Sequence, residues 1–268
     1  MPLFYLMILA LVQGVTEFLP ISSSGHLILL PNLTGMADQG QAIDVAVHVG
    51  TLGAVILYFW HDVREAALGT PRMLTGRTDT PGSRLAFLLL VATIPVIIAG
   101  LILKITGLND LLRSTAVIGW TMLVFGILLY WADKTGPEIK EDHDWNLPDA
   151  IKMGLWQAVA LIPGTSRSGI TITAARMLGY KRQDGAKLAM LMSIPTILAS
   201  GTLLGLEVAS EANAALMRDA AIGAAFAFVA AFGALALMMR LLKSVSFTPY
   251  VIYRVILGLI LLGIAYTG

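Results

Sequence analysis

Apolar residues in this chain come in long unbroken runs, and polar residues are gathered at a few interruptions. Six runs lie near Ile43–Trp60, Leu85–Leu103, Ser114–Trp131, Ala186–Leu206, Ala215–Met239 and Tyr250–Tyr266. Each holds roughly 20 mostly apolar residues, the length of helix that crosses a hydrocarbon layer. Two further runs, Leu3–Leu33 and Gly154–Leu178, are broken by PISSSG at Pro20–Gly25 and PGTSRSG at Pro163–Gly169. Their halves, about 11–17 residues each, are too short to cross alone. The pattern predicts two re-entrant helix hairpins beside six transmembrane helices. Polar backbone at membrane depth requires burial in protein or a wet cavity.

The two broken runs align without a gap at an offset of 144: Gln13 falls on Gln157, Ser22 on Ser166, Ser24 on Ser168, Gly25 on Gly169 and Gly35 on Gly179. The order of parts is also the same, so the chain reads as a single membrane domain over 1–268, with one repeat near 1–131 and a second near 147–268. Three spans separate the broken runs, which would then enter from opposite faces as an inverted-topology repeat. Arg64, Arg72, Arg77, Arg84, Lys134, Lys140, Lys152, Lys181, Arg182, Lys187, Arg240 and Lys243 fall on one side of the predicted spans; Lys104, Arg113 and Arg218 fall on the other. The first side is expected to be cytoplasmic, with both termini outside.

Composition narrows the class. Of 268 residues, 57% are hydrophobic and 13% charged, against roughly 25% charged in a soluble domain. Mean hydropathy is +0.79. This excludes a disordered chain, a soluble enzyme and a nucleic-acid binder, and leaves an all-α polytopic membrane protein. Net charge is +1 and selects no partner; cysteine is absent, which removes thiolate chemistry. The apolar N-terminus has no basic segment ahead of it and reads as mature structure rather than a signal peptide.

The interruptions carry the candidate chemistry. Gln13 and Glu17, four apart, share a helix face. Pro20 ends that helix; Ser22, Ser23 and Ser24 cap the next, Gly25 permits a tight turn, and His26 lies in the first helical turn. In the second interruption Pro163 and Gly164 end one helix, Thr165, Ser166 and Ser168 cap the next, and Arg167 sits at its start, with Gly169 a further candidate for diphosphate binding. Helix N-termini with free N–H groups and hydroxyls bind anions, and the planar fork of Arg167 suits phosphate oxygens. Ionisable groups inside membrane segments are functional candidates by default, so Glu17, His26 and Arg167 read as acid, base or nucleophile, and anion clamp. The structural alternatives are a buried Glu17–Arg167 ion pair and a satisfied polar His26. Elsewhere, Arg64–Arg84 reads as topology signal and Lys134–Asp149 as a solvated loop. His48 reads as structural, and Arg254 as snorkelling or internally paired. His61 and His143 read as loop residues.

At these two motifs, and at SFTPYVIYR (Ser246–Arg254), the chain resembles the undecaprenyl-diphosphate phosphatase, or bacitracin-resistance, family along its whole length. The resemblance implies hydrolysis of a C55 polyprenyl diphosphate to the monophosphate carrier of cell-wall polymers. It also implies residence in the bacterial inner membrane, a site open to the outer face, and a divalent cation, Mg²⁺ or Ca²⁺. The family's implicated residues fall on Glu17, Ser23, His26 and Arg167, with Gln13 and Ser166 in support. Glu17 would hold the cation, with Gln13 beside it; Gln13 in place of a glutamate removes one metal-binding carboxylate. Either Ser23 attacks with His26 as base, or His26 delivers the nucleophile. A lipid flippase is the alternative function, since inverted repeats with broken helices also build carriers. Similarity to the type-2 phosphatidic-acid phosphatases is confined to Ser24-Gly25-His26 and Ser166-Arg167, and their later histidine is missing from Ser168–Thr173. Homodimer formation stays open.

Overall fold

The computed structural model describes residues 2–35, 40–108, 112, 114–208 and 213–267; Arg113 lies outside them. Helices α1 (Leu3–Phe18) and α2 (Ser23–Thr34) form the first broken run, α7 (Leu147–Val159) and α8 (Arg167–Met177) the second. Six helices among the described residues are long and apolar enough to cross a membrane: α3 (Gln41–Tyr58), α5 (Pro81–Thr106), α6 (Thr115–Thr135), α9 (Arg182–Val208), α10 (Ala214–Leu241) and α11 (Thr248–Thr267). They match the six predicted runs within a few residues. Pro95 and Pro195 lie inside α5 and α9 without ending them. Ile98, Leu101 and Ile105 of α5 are exposed, as expected where lipid is the solvent.

The two halves exchange partners. Helix α1 packs along α10, and α7 packs along α5; α6 lies against α11 and α3 against α9. Small residues set the first two contacts. A Cβ on Gly14 would lie 2.6 Å from Ala230 Cβ and 2.7 Å from the Ala227 carbonyl oxygen. One on Gly154 would lie 2.5 Å from the Ala92 carbonyl oxygen. Both half-helices are thus pressed backbone to backbone against a full-length helix, which fixes where their polar ends point.

Two segments differ from the sequence reading. The stretch after Trp60 is not wholly loop: Trp60–Leu74 forms helix α4. Its Ala66 and Gly69 are buried while Trp60, Arg64, Leu68 and Arg72 face outward at intervals of four. Helical periodicity is present there, masked by the density of charge.

The segment Lys134–Asp149 is not simply solvated. Asp149 is buried and accepts from Lys140 Nζ and Tyr180 Oη, both at 2.8 Å. Burial and that carboxylate push the Tyr180 phenol well above its ordinary pKa. Just before the segment, buried Asp133 takes Arg182 Nε at 2.7 Å and Arg176 Nε at 3.3 Å. Paired charges, not exposure, let this acidic stretch sit against the bundle.

Candidate active site

Both interruptions are built by the same local rule. Leu19, preceding Pro20, is extended at φ −68°, ψ 143°, as a residue before proline must be, and α1 stops at Phe18. In the second interruption α7 stops at Val159, and Gly164 turns the chain at φ +86°. Each turn then places a serine in left-handed backbone: Ser22 at φ 75° and Ser166 at φ 70°, the only positive-φ non-glycine residues among those described. They are the pair matched by the 144-residue offset. Ser166 Oγ accepts from Gly169 N at 3.1 Å and lies 3.2 Å from Ser168 Oγ. Ser22 Oγ repeats both contacts, more loosely, at 3.4 Å to Gly25 N and 3.4 Å to Ser24 Oγ. A serine held at positive φ costs about 1–3 kcal/mol and persists where surrounding structure enforces it. Here it happens twice, at equivalent places.

The turns meet. Ser168 Oγ donates to the Leu19 carbonyl oxygen at 3.0 Å, and Thr121 of α6 donates to the Pro163 carbonyl oxygen at 2.6 Å. Arg254 of α11, fully buried, supplies the larger tie. Its Nη2 donates to the carbonyl oxygens of Gly164 (3.1 Å) and Thr165 (2.8 Å), and its Nη1 to that of Pro20 (3.4 Å). One guanidinium therefore gathers backbone acceptors from both interruptions. It does not snorkel; it is paired internally, with peptide carbonyls rather than a carboxylate.

Glu17 is the centre of the side-chain cluster. Its Oε1 accepts from Arg167 Nη2 at 2.5 Å. Its Oε2 accepts from Ser23 Oγ at 2.6 Å and Gln13 Nε2 at 2.9 Å. His48 Nε2 stands 3.8 Å from the same oxygen. Gln13 and Glu17 are buried, Arg167 and Ser23 partly so. A carboxylate with the Arg167 guanidinium on one oxygen, and the Ser23 hydroxyl and the Gln13 amide donating to the other, sits at the mouth of two helix N-termini.

The sequence-predicted residues divide into groups. Gln13, Glu17, Ser23 and Arg167 form one contact set. Ser22, Ser24, Gly25, Ser166, Ser168 and Gly169 build the two turns. Thr165 lends its carbonyl to Arg254, while its buried hydroxyl has no hydrogen-bond partner. His26 is turned elsewhere: Nδ1 lies 2.6 Å from the Ser22 carbonyl oxygen and Nε2 2.5 Å from Tyr253 Oη. Ser23 accordingly hydrogen-bonds Glu17 and not His26.

Sequence reasoning missed His48, Tyr253 and the task of Arg254. His48, in an apolar span, had a usable signal, because an ionisable group at such depth is a functional candidate. Arg254 had the same one. Tyr253 had only its place in the SFTPYVIYR motif, beside Arg254.

For a divalent cation, the donor chemistry fits. Gln13 gives its N–H to Glu17, which leaves Gln13 Oε1 buried without a partner next to a carboxylate. Hard oxygen ligands of that kind suit Mg²⁺ or Ca²⁺. No cluster of three or more His, Cys, Asp or Glu suited to a metal occurs among the described residues, so the remaining ligands would be substrate phosphate and water.

Comparison with known proteins agrees in extent. Residues 6–260 match the family described as bacitracin resistance protein BacA. The chain is 73% identical over 266 residues to an undecaprenyl-diphosphatase of Jannaschia sp. (strain CCS1), covering 99% of this chain and 100% of that protein. It is 70% identical over 267 residues to an undecaprenyl-diphosphatase of Ruegeria pomeroyi, covering all of both chains. A Rhodospirillum rubrum protein, undecaprenyl-diphosphatase 1, is 46% identical over 274 aligned positions, which take in 100% of this chain and 97% of that one.

Proposed function

The chain belongs to the bacitracin resistance protein BacA family, and from that membership we infer that it is an undecaprenyl-diphosphatase. It hydrolyses undecaprenyl diphosphate to undecaprenyl phosphate and inorganic phosphate in a bacterial membrane. This recycles the lipid carrier of cell-wall polymers and confers bacitracin resistance. The relatives' names favour hydrolysis over the flippase alternative. The observation that carries the chemistry is the Glu17 cluster: a carboxylate holding the Ser23 hydroxyl at 2.6 Å and the Arg167 guanidinium at 2.5 Å.

We read the broken runs as re-entrant hairpins. Their helices have 16, 12, 13 and 11 residues, short of the roughly 20 that a crossing needs. With Lys and Arg concentrated in the loops of one side, that side is cytoplasmic; the termini and the mouth of the site face outward.

Arg167 and the N–H groups at the starts of α2 and α8 receive the diphosphate and balance charge on the transferring phosphoryl group. Binding there draws Arg167 away from Glu17. Glu17 then takes the Ser23 proton as Ser23 Oγ bonds to the terminal phosphorus. The bridging P–O bond breaks, and its electron pair leaves with undecaprenyl phosphate. Water next attacks the phosphoserine, freeing inorganic phosphate and restoring the Ser23 hydroxyl. His26 lies in the same first turn of α2 and takes up this water's proton by way of the Tyr253 hydroxyl that its Nε2 accepts from. A cation held by Glu17 and Gln13 Oε1 would supply further charge neutralisation at the phosphates.

The test is phosphate release from undecaprenyl diphosphate by purified protein in detergent, with no membrane to cross. Release that is lost in Ser23→Ala, with label from the substrate trapped on Ser23 in wild type, supports the scheme. Release without a phosphoenzyme removes the covalent step. Lipid movement between leaflets with no phosphate release would favour the carrier.

A further inference from the structure

We infer that Tyr253 is a positioning residue for His26, holding its imidazole in one tautomer. The inference rests on His26 belonging to the reaction site.

Two hydrogen bonds lead to it. His26 Nδ1 lies 2.6 Å from the Ser22 carbonyl oxygen. A carbonyl only accepts, so the ring proton is on Nδ1. A neutral imidazole then has only a lone pair at Nε2. Tyr253 Oη, 2.5 Å from Nε2, is therefore the donor. The opposite tautomer would set a nitrogen lone pair against the carbonyl oxygen and cost the ring its bond to Ser22. The two bonds together select one proton position, and the partner on the second nitrogen is what fixes it.

Packing supports the same role. The His26 and Tyr253 rings stack with centroids 5.7 Å apart and planes 9° apart, so the imidazole cannot rotate without leaving the phenol. Tyr253 is 42% exposed; it is not filling a core. Its place is set by the next residue, Arg254, which is buried and bound to the carbonyls of both turns. One turn of α11 therefore addresses both halves of the site: Arg254 fixes the backbone and Tyr253 fixes the imidazole. The Ser22 carbonyl at the other end of the ring belongs to the left-handed serine, so the strained turn also orients His26. Both ring nitrogens are thereby engaged, so a proton from water reaches Nε2 through the Tyr253 hydroxyl, which passes its own to the ring as it receives one.

The experiment compares wild type with Tyr253→Phe, which keeps the stacked ring and removes only the hydroxyl. In protein labelled with ¹⁵N-histidine and assigned by His26→Ala, wild type should show His26 as the Nδ1–H tautomer, and Tyr253→Phe a mixture. The same substitution should lower kcat for phosphate release by about tenfold with KM unchanged, and should cost nothing further in a His26→Ala background. Unchanged ¹⁵N shifts in Tyr253→Phe, or an equal loss with and without His26, would overturn the inference. If His26→Ala alone releases phosphate at the wild-type rate, His26 is outside the reaction and the inference falls with it. That result is distinct from failure of wild type to release phosphate, which would remove the proposed activity itself.

Discussion

Arg167 Nη2 lies 2.5 Å from Glu17 Oε1, joining the start of α8 to the end of α1 across 150 residues of chain. The pair is mostly buried, with side-chain exposures of 15% and 5%. It occupies the cation that the proposed reaction needs for phosphate. Substrate and carboxylate thus compete for one guanidinium, and the two partners should respond differently to substitution.

Glu17→Gln should release Arg167 for substrate while removing the base for Ser23. KM should fall, and kcat should fall by about 100-fold. Arg167→Gln should raise KM and lower kcat together, and Arg167→Lys should recover little, because a point charge does not replace a fork. Leaving one charge of a buried pair alone costs about 3–5 kcal/mol, so both neutral variants should also melt earlier. Steady-state phosphate release in detergent and thermal unfolding check these outcomes. A Glu17→Gln protein with raised KM would contradict the competition.

The matched serines can be tested through their backbone. At φ 75° and 70°, Ser22→Gly and Ser166→Gly relieve strain while deleting a cap; the alanine variants delete the cap and keep the strain. Each glycine variant should therefore be more stable than its alanine counterpart by about 1 kcal/mol. The difference should be similar at the two sites, because the cap is lost in both variants and the φ values are close. Neither should match wild-type phosphate release, since the anion-binding turn loses its hydroxyl. Thermal unfolding of the four variants decides it; alanine equal to glycine at both sites would mean the strain is relaxed in solution.

Arg254 should behave as the tie between the turns. Arg254→Met leaves the carbonyl oxygens of Pro20, Gly164 and Thr165 without this donor, and unmade buried hydrogen bonds cost about 1–3 kcal/mol each. Arg254→Lys keeps the charge but has no planar fork to span both turns. Both variants should lower thermal stability and reduce phosphate release, the methionine variant more severely. Retained activity in Arg254→Met would show that the turns hold together without it.

How much of this was readable depends on the range of the interaction. The two interruptions were legible because proline, serine and glycine act locally: they stop a helix, cap the next and turn the chain. The face shared by Gln13 and Glu17 follows from helical spacing alone. Helix α4 was hidden because charged residues at Arg64 and Arg72 made a periodic segment resemble a loop. The buried state of Asp133 and Asp149 was hidden because Arg176, Arg182, Lys140 and Tyr180 reach them only in the folded bundle. Likewise, nothing in the spacing of α11 tells that Tyr253 meets His26 or that Arg254 finds peptide carbonyls. The turn residues were readable from their own segments; the groups that hold the turns together were not.

Gln13 offers a test of the proposed cation that separates folding from binding. Its Oε1 is buried with no hydrogen-bond partner, a condition costing about 1–3 kcal/mol in a neutral group. Gln157, its match in the second repeat, has the same partnerless Oε1, so the cost alone does not mark a ligand; what distinguishes Gln13 is the Glu17 carboxylate beside it. Without added metal, Gln13→Met should be at least as stable as wild type. Its phosphate release should nevertheless need more Mg²⁺ for half-saturation, by about tenfold. Gln13→Glu should shift the curve the other way, toward lower Mg²⁺, while losing stability in chelator because two carboxylates then stand one helical turn apart. The measurement is phosphate release titrated with Mg²⁺ and with Ca²⁺ after chelation, alongside thermal unfolding in chelator. Identical metal curves for all three proteins would remove Gln13 from the cation's ligands and leave Glu17 as the single protein carboxylate available to it.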